Sequence, residues 1–390
     1  MQVYWHMVRK IWQQKIEEAW SEKSIVWLTG VRRSGKTTIT KQLTPDFHFD
    51  CELPRVRRML EDAETFFSNL PPVRLTLDEI HRLENASEVL KIAADHYPEH
   101  KIIATGSSTL GASKKFKDAL TDRKRTVWLQ PALLQEIKSL GTADLAQRML
   151  QGGLPPFLLA KKFPESAFSD WVDSFWAKDI QDLFSLDKKH AFLKFFELIA
   201  LANGRNFEAQ KYASPCGVSH TTIATYLQIL SETHICHIVR PFSEKKAKEI
   251  VTMSKIYFFD TGFISYFRGQ LKIDETEKGY YFENIVLNEL QSVFKSSEIL
   301  YWRDKNKHEI DFIIKRRGKD PIAIDCKWQE KEFDSKSMKK FRALYPNGQN
   351  ILVAAKTTQS KVIKKNLNSL ELRVVPAHEL RQFFSVNHPD

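Results

Sequence analysis

Apolar residues near the start of the chain recur at helical spacing, Trp5, Val8, Trp12, Ile16 and Trp20, and predict an amphipathic helix lying on the body of the protein. Residues 24–29 (SIVWLT) then form a short continuous apolar run of the kind that makes a buried parallel strand. Residues 73–77 and 101–104 repeat that pattern, whereas residues 38–43 continue as a helix. From 142 to 203 the pattern is helical and aromatic, with Trp171, Phe175, Trp176, Phe184, Phe192 and Phe196 forming a stripe expected in a core. Such a segment suits a helical lid.

Residues 207–231 predict two helices joined by a tight turn at Cys216-Gly217, with Val218 packed between them and Ser219 capping the second. Ile223, Leu227 and Leu230 share one face, leaving His220, Thr221 and Thr222 exposed, which is the layout of a helix-turn-helix. Residues 234–241 and 251–259 then read as a hairpin whose tip carries Lys245, Lys246 and Lys248, a wing suited to phosphate. A solvated loop or a protein-binding scaffold explains the same residues without DNA.

Further on, residues 309–315 and 321–327 form two strands linked through Gly318. Folding the pair about that glycine sets Asp311 directly across from Asp325, with Cβ atoms about 4.5–5.5 Å apart. A period of two puts Lys327 on the same face, and the opposite face collects Ile310, Phe312, Ile314, Ile322, Ile324 and Cys326. In the helix over 281–294, Glu283 heads the stripe Leu287, Leu290 and Phe294 and so points inward.

At 390 residues, two to four domains are expected, and 42% hydrophobic with 27% charged residues excludes disordered, collagenous and membrane-spanning classes. The net charge of +11 points to a polyanionic partner such as nucleic acid, although scattered lysines give the same total. Cys51, Cys216, Cys236 and Cys326 are too few and too far apart for a disulfide framework or zinc knuckle, so a reduced, cytoplasmic setting is expected. The N-terminal segment lacks the apolar stretch of a signal peptide, and no run reaches the ~20 apolar residues that cross a bilayer, so a soluble protein without a membrane partner is expected.

The strand at 24–29 ends in Gly30-Val31-Arg32-Arg33-Ser34-Gly35-Lys36-Thr37, with Thr38 opening the helix behind it. In a G-x-x-x-x-G-K-T loop the backbone N–H groups curl around phosphate oxygens, the lysine reaches the β- and γ-phosphates, and the threonine hydroxyl joins the magnesium shell. Lys36 and Thr37 take those roles here, with ATP and Mg2+ as cofactors. Asp78 and Glu79 close the strand at 73–77, where Asp78 would hold magnesium through water and Glu79 would polarise the attacking water. Thr105 and Ser107, at the end of the next strand, are either γ-phosphate sensors or ordinary helix-cap hydroxyls.

The segments GVRRSGKTT, LDEIH and ATGSS, in this order, make the chain resemble AAA-type ATPases. It resembles in particular the bacterial and archaeal ones whose C-terminal half is nuclease-like and of unassigned function. FDCELPRVRRMLED, GGLPPF, KIYFFDTG, YFENIVLNEL and EIDFII extend the resemblance over nearly the whole chain. His81 stands where the family usually has Gln, and Asp122-Arg123 where it has Gly-Arg. The resemblance implies Arg123 as an arginine acting in trans, hence a homo-oligomer; the residues alone read equally as a surface arginine in a basic stretch.

Glu283, Asp311 and Asp325-x-Lys327 are similar to the PD-(D/E)XK nuclease site, with Asp325 where relatives more often carry Glu. That similarity implies a magnesium held by Glu283, Asp311 and Asp325, with Lys327 supporting the chemistry. The expected fold is α/β: an AAA-type P-loop core over 1–140, a helical lid over 141–203, a winged helix over 204–262 and a restriction-endonuclease-like domain over 263–390. The expected function is Mg-dependent ATP hydrolysis acting on DNA, with nuclease chemistry in the tail. The alternative is an ATP-controlled switch that binds DNA or a protein partner with an inactive nuclease fold.

Overall fold

The computed structural model describes residues 8–106, 118, 120–140, 144–181, 188–243, 253–357, 362–367 and 370–387. Five parallel strands organise the first third: β1 (Ile25–Thr29), β2 (Phe47–Asp50), β3 (Arg74–Asp78), β4 (Lys101–Thr105) and β5 (Lys124–Trp128). Their order across the sheet is β2-β3-β4-β1-β5. All five residues of β1 are buried, because a parallel sheet is covered on both faces. Strand alternation sends Ile25 and Trp27 into one core and Val26 and Leu28 into the other. Helix α1 (Lys10–Glu22) covers the second face with Ile11, Trp12, Ile16 and Trp20; Val8, expected on the same stripe, precedes the helix and is exposed, and Trp5 lies outside the described residues. Helix α2 (Lys36–Gln42) follows β1, and α3 (Pro54–Met59), α4 (Ala63–Ser68) and α5 (Ala86–His96) cover the other face. Parallel strands end on a common edge, so the loops after β1, β3 and β4 are brought together.

Helices α6 (Leu134–Leu140), α7 (Leu145–Gln151), α8 (Pro155–Leu158), α9 (Glu165–Phe175) and α10 (Lys189–Leu201) lead away from this sheet. A π-helical turn, Trp176–Ile180, extends α9. Trp171, Phe175, Trp176, Phe192 and Phe196 are indeed core residues, whereas Phe184 lies outside the described residues. Their core also takes in Tyr226, Leu230, Phe258 and Phe263, so the lid helices and the segment after them share one interior.

That segment has the element order expected of a winged helix. Strand β6 (Arg205–Asn206), α11 (Ala209–Cys216), a turn at Gly217, α12 (His220–Glu232), β7 (Cys236–Pro241) and β8 (Lys255–Phe258) follow in order. The Ser219 hydroxyl accepts the Thr222 N–H at 3.1 Å and caps α12, and Ile223, Tyr226, Leu227 and Leu230 are buried. The exposed side of α12 presents His220, Thr221, Thr225 and Gln228. Strand β8 pairs antiparallel with both β7 and β6. The basic wing tip, Lys245, Lys246 and Lys248, lies outside the described residues.

After α13 (Thr261–Arg268) and α14 (Lys278–Gln291) come β9 (Ile299–Arg303), β10 (Glu309–Ile314), β11 (Ile322–Gln329), α15 (Lys336–Leu344), β12 (Asn350–Lys356), β13 (Ile363–Leu367), β14 (Leu370–Pro376) and α16 (Leu380–Asn387). Strand β7 pairs parallel with β9, matching Arg240 to Leu300. The wing strands and the C-terminal strands are thereby one nine-stranded sheet, β13-β14-β12-β11-β10-β9-β7-β8-β6. Strands β10 and β11 take the register calculated about Gly318, with Phe312 opposite Ile324 and Ile314 opposite Ile322.

One part of the hairpin expectation fails. Ile310 does not join Phe312 and Ile314; it is buried with Ile313, Ala323 and Leu352 in a second core. The pairing of β10 with β9 shifts between Ile310 and Ile313, and such an irregularity breaks strict alternation. The face expected to be charged is therefore itself packed. Among the described residues no helix is long and apolar enough to cross a membrane.

Candidate nucleotide site and C-terminal acidic cluster

The loop between β1 and α2 is a backbone cradle. Gly35 takes a left-handed conformation (φ 98°) at the start of α2, and Arg33 does so as well (φ 63°). A Cβ on Gly30 would lie 2.6 Å from the Leu129 carbonyl oxygen, so the loop's entry tolerates no side chain. The Lys36 ammonium turns onto the loop's own carbonyls, donating to Gly30 at 2.8 Å and Val31 at 3.2 Å. Burial pushes its pKa down, against the pull of Glu79, Asp179 and Asp78. Phosphate oxygens offer that ammonium a charged partner in place of two neutral ones. Ser34 Oγ and Thr29 Oγ1 are buried beside the loop without a hydrogen-bond partner among the described residues.

The acidic strand end lies across β4 from this loop. Asp78 is 4% exposed and accepts a hydrogen bond from the Thr105 hydroxyl, which in turn accepts the Glu79 N–H at 3.1 Å. Glu79 has a left-handed backbone (φ 53°), a conformation that costs a non-glycine residue energy and recurs at functional sites. His81 Nδ1 donates to Glu79 Oε2 at 3.1 Å. Burial raises the Glu79 pKa, but the His81 bond and the charges of Lys36 and Arg32 outweigh it, so the carboxylate is held below its usual range.

Thr105 thus orients Asp78 and Glu79 instead of standing free, and Ser107 lies outside the described residues. Arg123 precedes β5 at the sheet edge opposite the phosphate loop, and its guanidinium donates to both carboxylate oxygens of Asp95, at 2.6 and 3.0 Å. It is not brought to this chain's own loop.

A cavity of about 400 Å3 opens on the loop. Its walls come from three parts of the chain: Val31 and Thr37 from the loop, Pro155, Trp171 and Phe175 from the lid helices, and Ile235 from the base of the winged helix. Thr38 and Arg33 also line it. The lid grips the loop through polar contacts, among them two at Arg32. Trp171 Nε1 donates to the Arg32 carbonyl at 3.0 Å, and the Arg32 guanidinium pairs with Asp179 of the π-helical turn. Beside the cavity, Trp128 at the end of β5 stacks on His234, with ring centroids 4.7 Å apart, and also meets His237. Burial drives the His237 pKa down to about 3, so its ring is neutral.

Sequence reasoning missed Arg9, Arg148, Asp179, Asp260 and Glu289. Arg9 pairs with Glu136 at 2.7 Å and donates to the Ser34 carbonyl at 2.9 Å, bracing the loop from α1's entry. Arg148 is 1% exposed and bonds Ala132, Thr261 and Asn288. Asp260 accepts the N–H groups of Gly153 and Gly262, so GGLPPF and KIYFFDTG meet in space. A Cβ on Gly152 would fall 1.8 Å from the Asp260 carboxylate, which is why glycine is needed there. Glu289 accepts the Leu134 N–H at 2.7 Å, and burial raises its pKa to about 7. For Arg148, Asp260 and Glu289 the signal is a lone charge inside an apolar stretch, such as Asp260 after Phe258 and Phe259.

In the C-terminal domain, Asp311 and Asp325 adjoin the paired residues Phe312 and Ile324 of β10 and β11. Burial and the Asp311 charge push the Asp325 pKa well up, against Lys327, whose ammonium lies 2.6 Å from Asp325 Oδ1. Asp311 Oδ2 accepts the Cys326 N–H at 2.7 Å. Glu283 comes to the same place, held by the Tyr257 hydroxyl and by Lys255 Nζ at 3.1 Å. Lys255 also contacts Glu309 at 2.5 Å, and Arg303 approaches Glu309 at 3.6 Å.

Each acid is therefore engaged by this chain's own donors. Among the described residues no three acidic, histidine or cysteine side chains converge as metal ligands. The cluster as arranged does not fit a divalent ion. The hard oxygens of Thr37 and Asp78, beside unpartnered hydroxyls at the loop, do suit magnesium.

Known proteins match the chain in three consecutive parts. Residues 22–138 match a family described as an AAA domain, 142–276 a domain of unknown function (DUF8612) and 278–378 another (DUF4143). The uncharacterized protein Rv2008c of Mycobacterium tuberculosis is 24% identical over 335 residues, covering 83% of this chain and 75% of its own. Mb2031c of Mycobacterium bovis gives the same figures. The Walker-type ATPase PABY2304 of Pyrococcus abyssi is similar at 15% identity and a TM-score of 0.44, covering 67% of this chain and 96% of its own. For RuvB of Thermotoga maritima the values are 17%, 0.31, 63% and 95%. At such scores the assignment rests on the family match and on the loop itself. The protein is an AAA-type P-loop ATPase, with its ATPase core at residues 22–138.

Proposed function

We propose that this ATPase is a nucleotide-controlled switch acting on DNA, in which ATP binding and hydrolysis set how the winged helix is held against the core. The carrying observation is the composition of the nucleotide cavity. Its walls include Trp171 and Phe175 of the lid and Ile235 at the root of β7, so whatever fills it bears on both bodies at once. A ligand shifts such an equilibrium only through a difference in contact between two arrangements, and a pocket shared by two bodies supplies that difference.

For the chemistry, Lys36 and the loop N–H groups bind the triphosphate, and Glu79, ionised and oriented by His81 and Thr105, takes the proton of the attacking water. Magnesium would be held by Thr37 and, through water, by Asp78, and when bound it neutralises charge on the phosphates. DNA is supported as the partner by the +11 net charge and by the hydrogen-bonding side chains His220, Thr221, Thr225 and Gln228 on the open side of α12. Arg123, turned away from its own loop, would act on the site of a neighbouring copy in a homo-oligomer.

A second reading makes the C-terminal domain a magnesium-dependent nuclease built on Glu283, Asp311, Asp325 and Lys327; the interacting aspartates favour it. The engaged carboxylates favour the switch. Steady-state ATP turnover with and without duplex DNA tests the proposal, in the parent and in Asp311→Asn. Stimulation that survives the substitution, with no cutting by the parent in Mg2+ or Mn2+, supports the switch. Cutting that Asp311→Asn abolishes contradicts it.

A further inference from the structure

The C-terminal acidic cluster already contains a cation. We propose that the Lys255 ammonium is its resident counter-ion, held between Glu283 and Glu309 beside the Glu283, Asp311 and Asp325 set where a metal-dependent nuclease needs a divalent ion. The consequence for cleavage rests on the switch reading above; occupation of the cluster does not.

An ammonium has three N–H donors, and Lys255 has three oxygen partners: Glu309 Oε1 at 2.5 Å, Glu283 Oε1 at 3.1 Å and the Tyr257 hydroxyl at 3.4 Å. The residue is 4% exposed, and a buried ammonium persists only when paired this fully. Its pKa is pushed well up: burial opposes the charged form, but Glu283, Tyr257, Asp311 and Glu309 overcome it. Metal–oxygen distances are about 2.0–2.6 Å, so an ion on Glu283 and Glu309 would coincide with Nζ. Lys255 would have to leave first.

The backbone fixes the point from which the ammonium reaches the acids. Lys255 opens β8, which pairs with β7 through Val239 and with β6 through Asn206, so the strand is held on both edges. Two residues on, and on the same face, Tyr257 donates to Glu283 as well. The remaining charges also close internally. Arg303 faces Glu309 and Lys327 faces Asp325, while Asp311 accepts the Cys326 N–H. Four carboxylates thus meet three cations and a main-chain N–H. The same contacts tie the wing's inner strand to the C-terminal domain, so the cluster is a structural joint.

The test uses the full chain without nucleotide and Mn2+ as the probe, reading free ion by electron paramagnetic resonance. Parent and Asp311→Asn should bind equal amounts of Mn2+. Lys255→Met should gain one ion per chain, raise its melting temperature on Mn2+ addition, and lose both effects when Asp311→Asn is added. Mn2+ binding by the parent that Asp311→Asn removes would overturn the proposal, as would a folded Lys255→Met that gains no ion. Should Lys255→Met fail to fold, the parent against Asp311→Asn still decides, and Lys255→Arg should match the parent. DNA-stimulated turnover, measured separately, reports on the switch, so the two ideas can fail independently.

Discussion

The indole N–H of Trp171 donates to the main-chain carbonyl of Arg32 across 3.0 Å, binding the lid to the phosphate loop at the residue whose side chain reaches Asp179. Since Trp171 belongs to the core that also holds Tyr226 and Leu230 of the winged helix, that hydrogen bond connects the loop to the helix through one shared core. A change at the phosphates therefore has a short material path to α12.

Asp179→Asn tests this clasp. It keeps the shape but removes the charge facing Arg32, and Asp179 is 3% exposed. Stability should fall by about 1–3 kcal/mol, read by urea unfolding. Lys36-dependent ATP binding should persist while DNA affinity ceases to depend on nucleotide. A variant whose DNA affinity still follows nucleotide state as in the parent would show that the clasp carries no coupling.

The chemistry separates into two substitutions. Lys36→Ala should lose ATP binding and turnover together. Glu79→Gln should keep ATP binding and lose turnover by about 10²–10⁴-fold, the usual contribution of a positioned base. Equilibrium binding of a fluorescent ATP analogue beside steady-state phosphate release distinguishes them. Undiminished turnover in Glu79→Gln would move the base elsewhere.

Glu289 gives a pH dependence with a definite sign. Its folded pKa of about 7 lies above the ordinary 4.5, so the folded state binds more protons between those values. Its contribution is fully present below pH 4.5 and lost as pH rises through 7, on the order of 3 kcal/mol in all. Leu134 N–H, Arg148 and Arg381 temper the effect and Glu136 adds to it. His237, lowered to about 3, works oppositely: its contribution is present above pH 6.5 and lost as pH falls towards 3. Glu289→Gln keeps an acceptor for Leu134 and should remove the first slope, gaining stability over the parent at pH 8 but not at pH 4.5. Parallel urea curves at both pH values check it; an equal difference at both would refute the assignment.

Arg123 is fixed to Asp95 of its own chain, with its side chain 33% exposed. If it serves a neighbouring site, Arg123→Ala should lower turnover on the order of 10³-fold without weakening ATP binding, and parent turnover per chain should fall on dilution. Parent-like turnover in the variant would leave Arg123 a surface ion pair.

Local spacing made much of this legible. Gly30 to Thr37 and Asp78-Glu79 are contiguous signals, and the β10–β11 register follows from one glycine, so Phe312 met Ile324 as calculated. Ile310 was misplaced because a shift in pairing with β9 leaves no mark on alternation. Lys255 was hidden for a different reason: in KIYFFDTG it reads as the polar start of a strand, and only the join of β7 to β9 brings it to Glu283 and Glu309. Asp179 and Trp171 looked like parts of an ordinary aromatic core until the loop packed against them.

The most direct measurement is the affinity of the full chain for labelled duplex DNA in two nucleotide states. Glu79→Gln with ATP holds the triphosphate, and the same protein with ADP supplies the comparison, read by fluorescence anisotropy at fixed salt. The switch predicts affinities differing by about 5–150-fold, with Lys36→Ala showing no difference. Equal affinity in both states would contradict it.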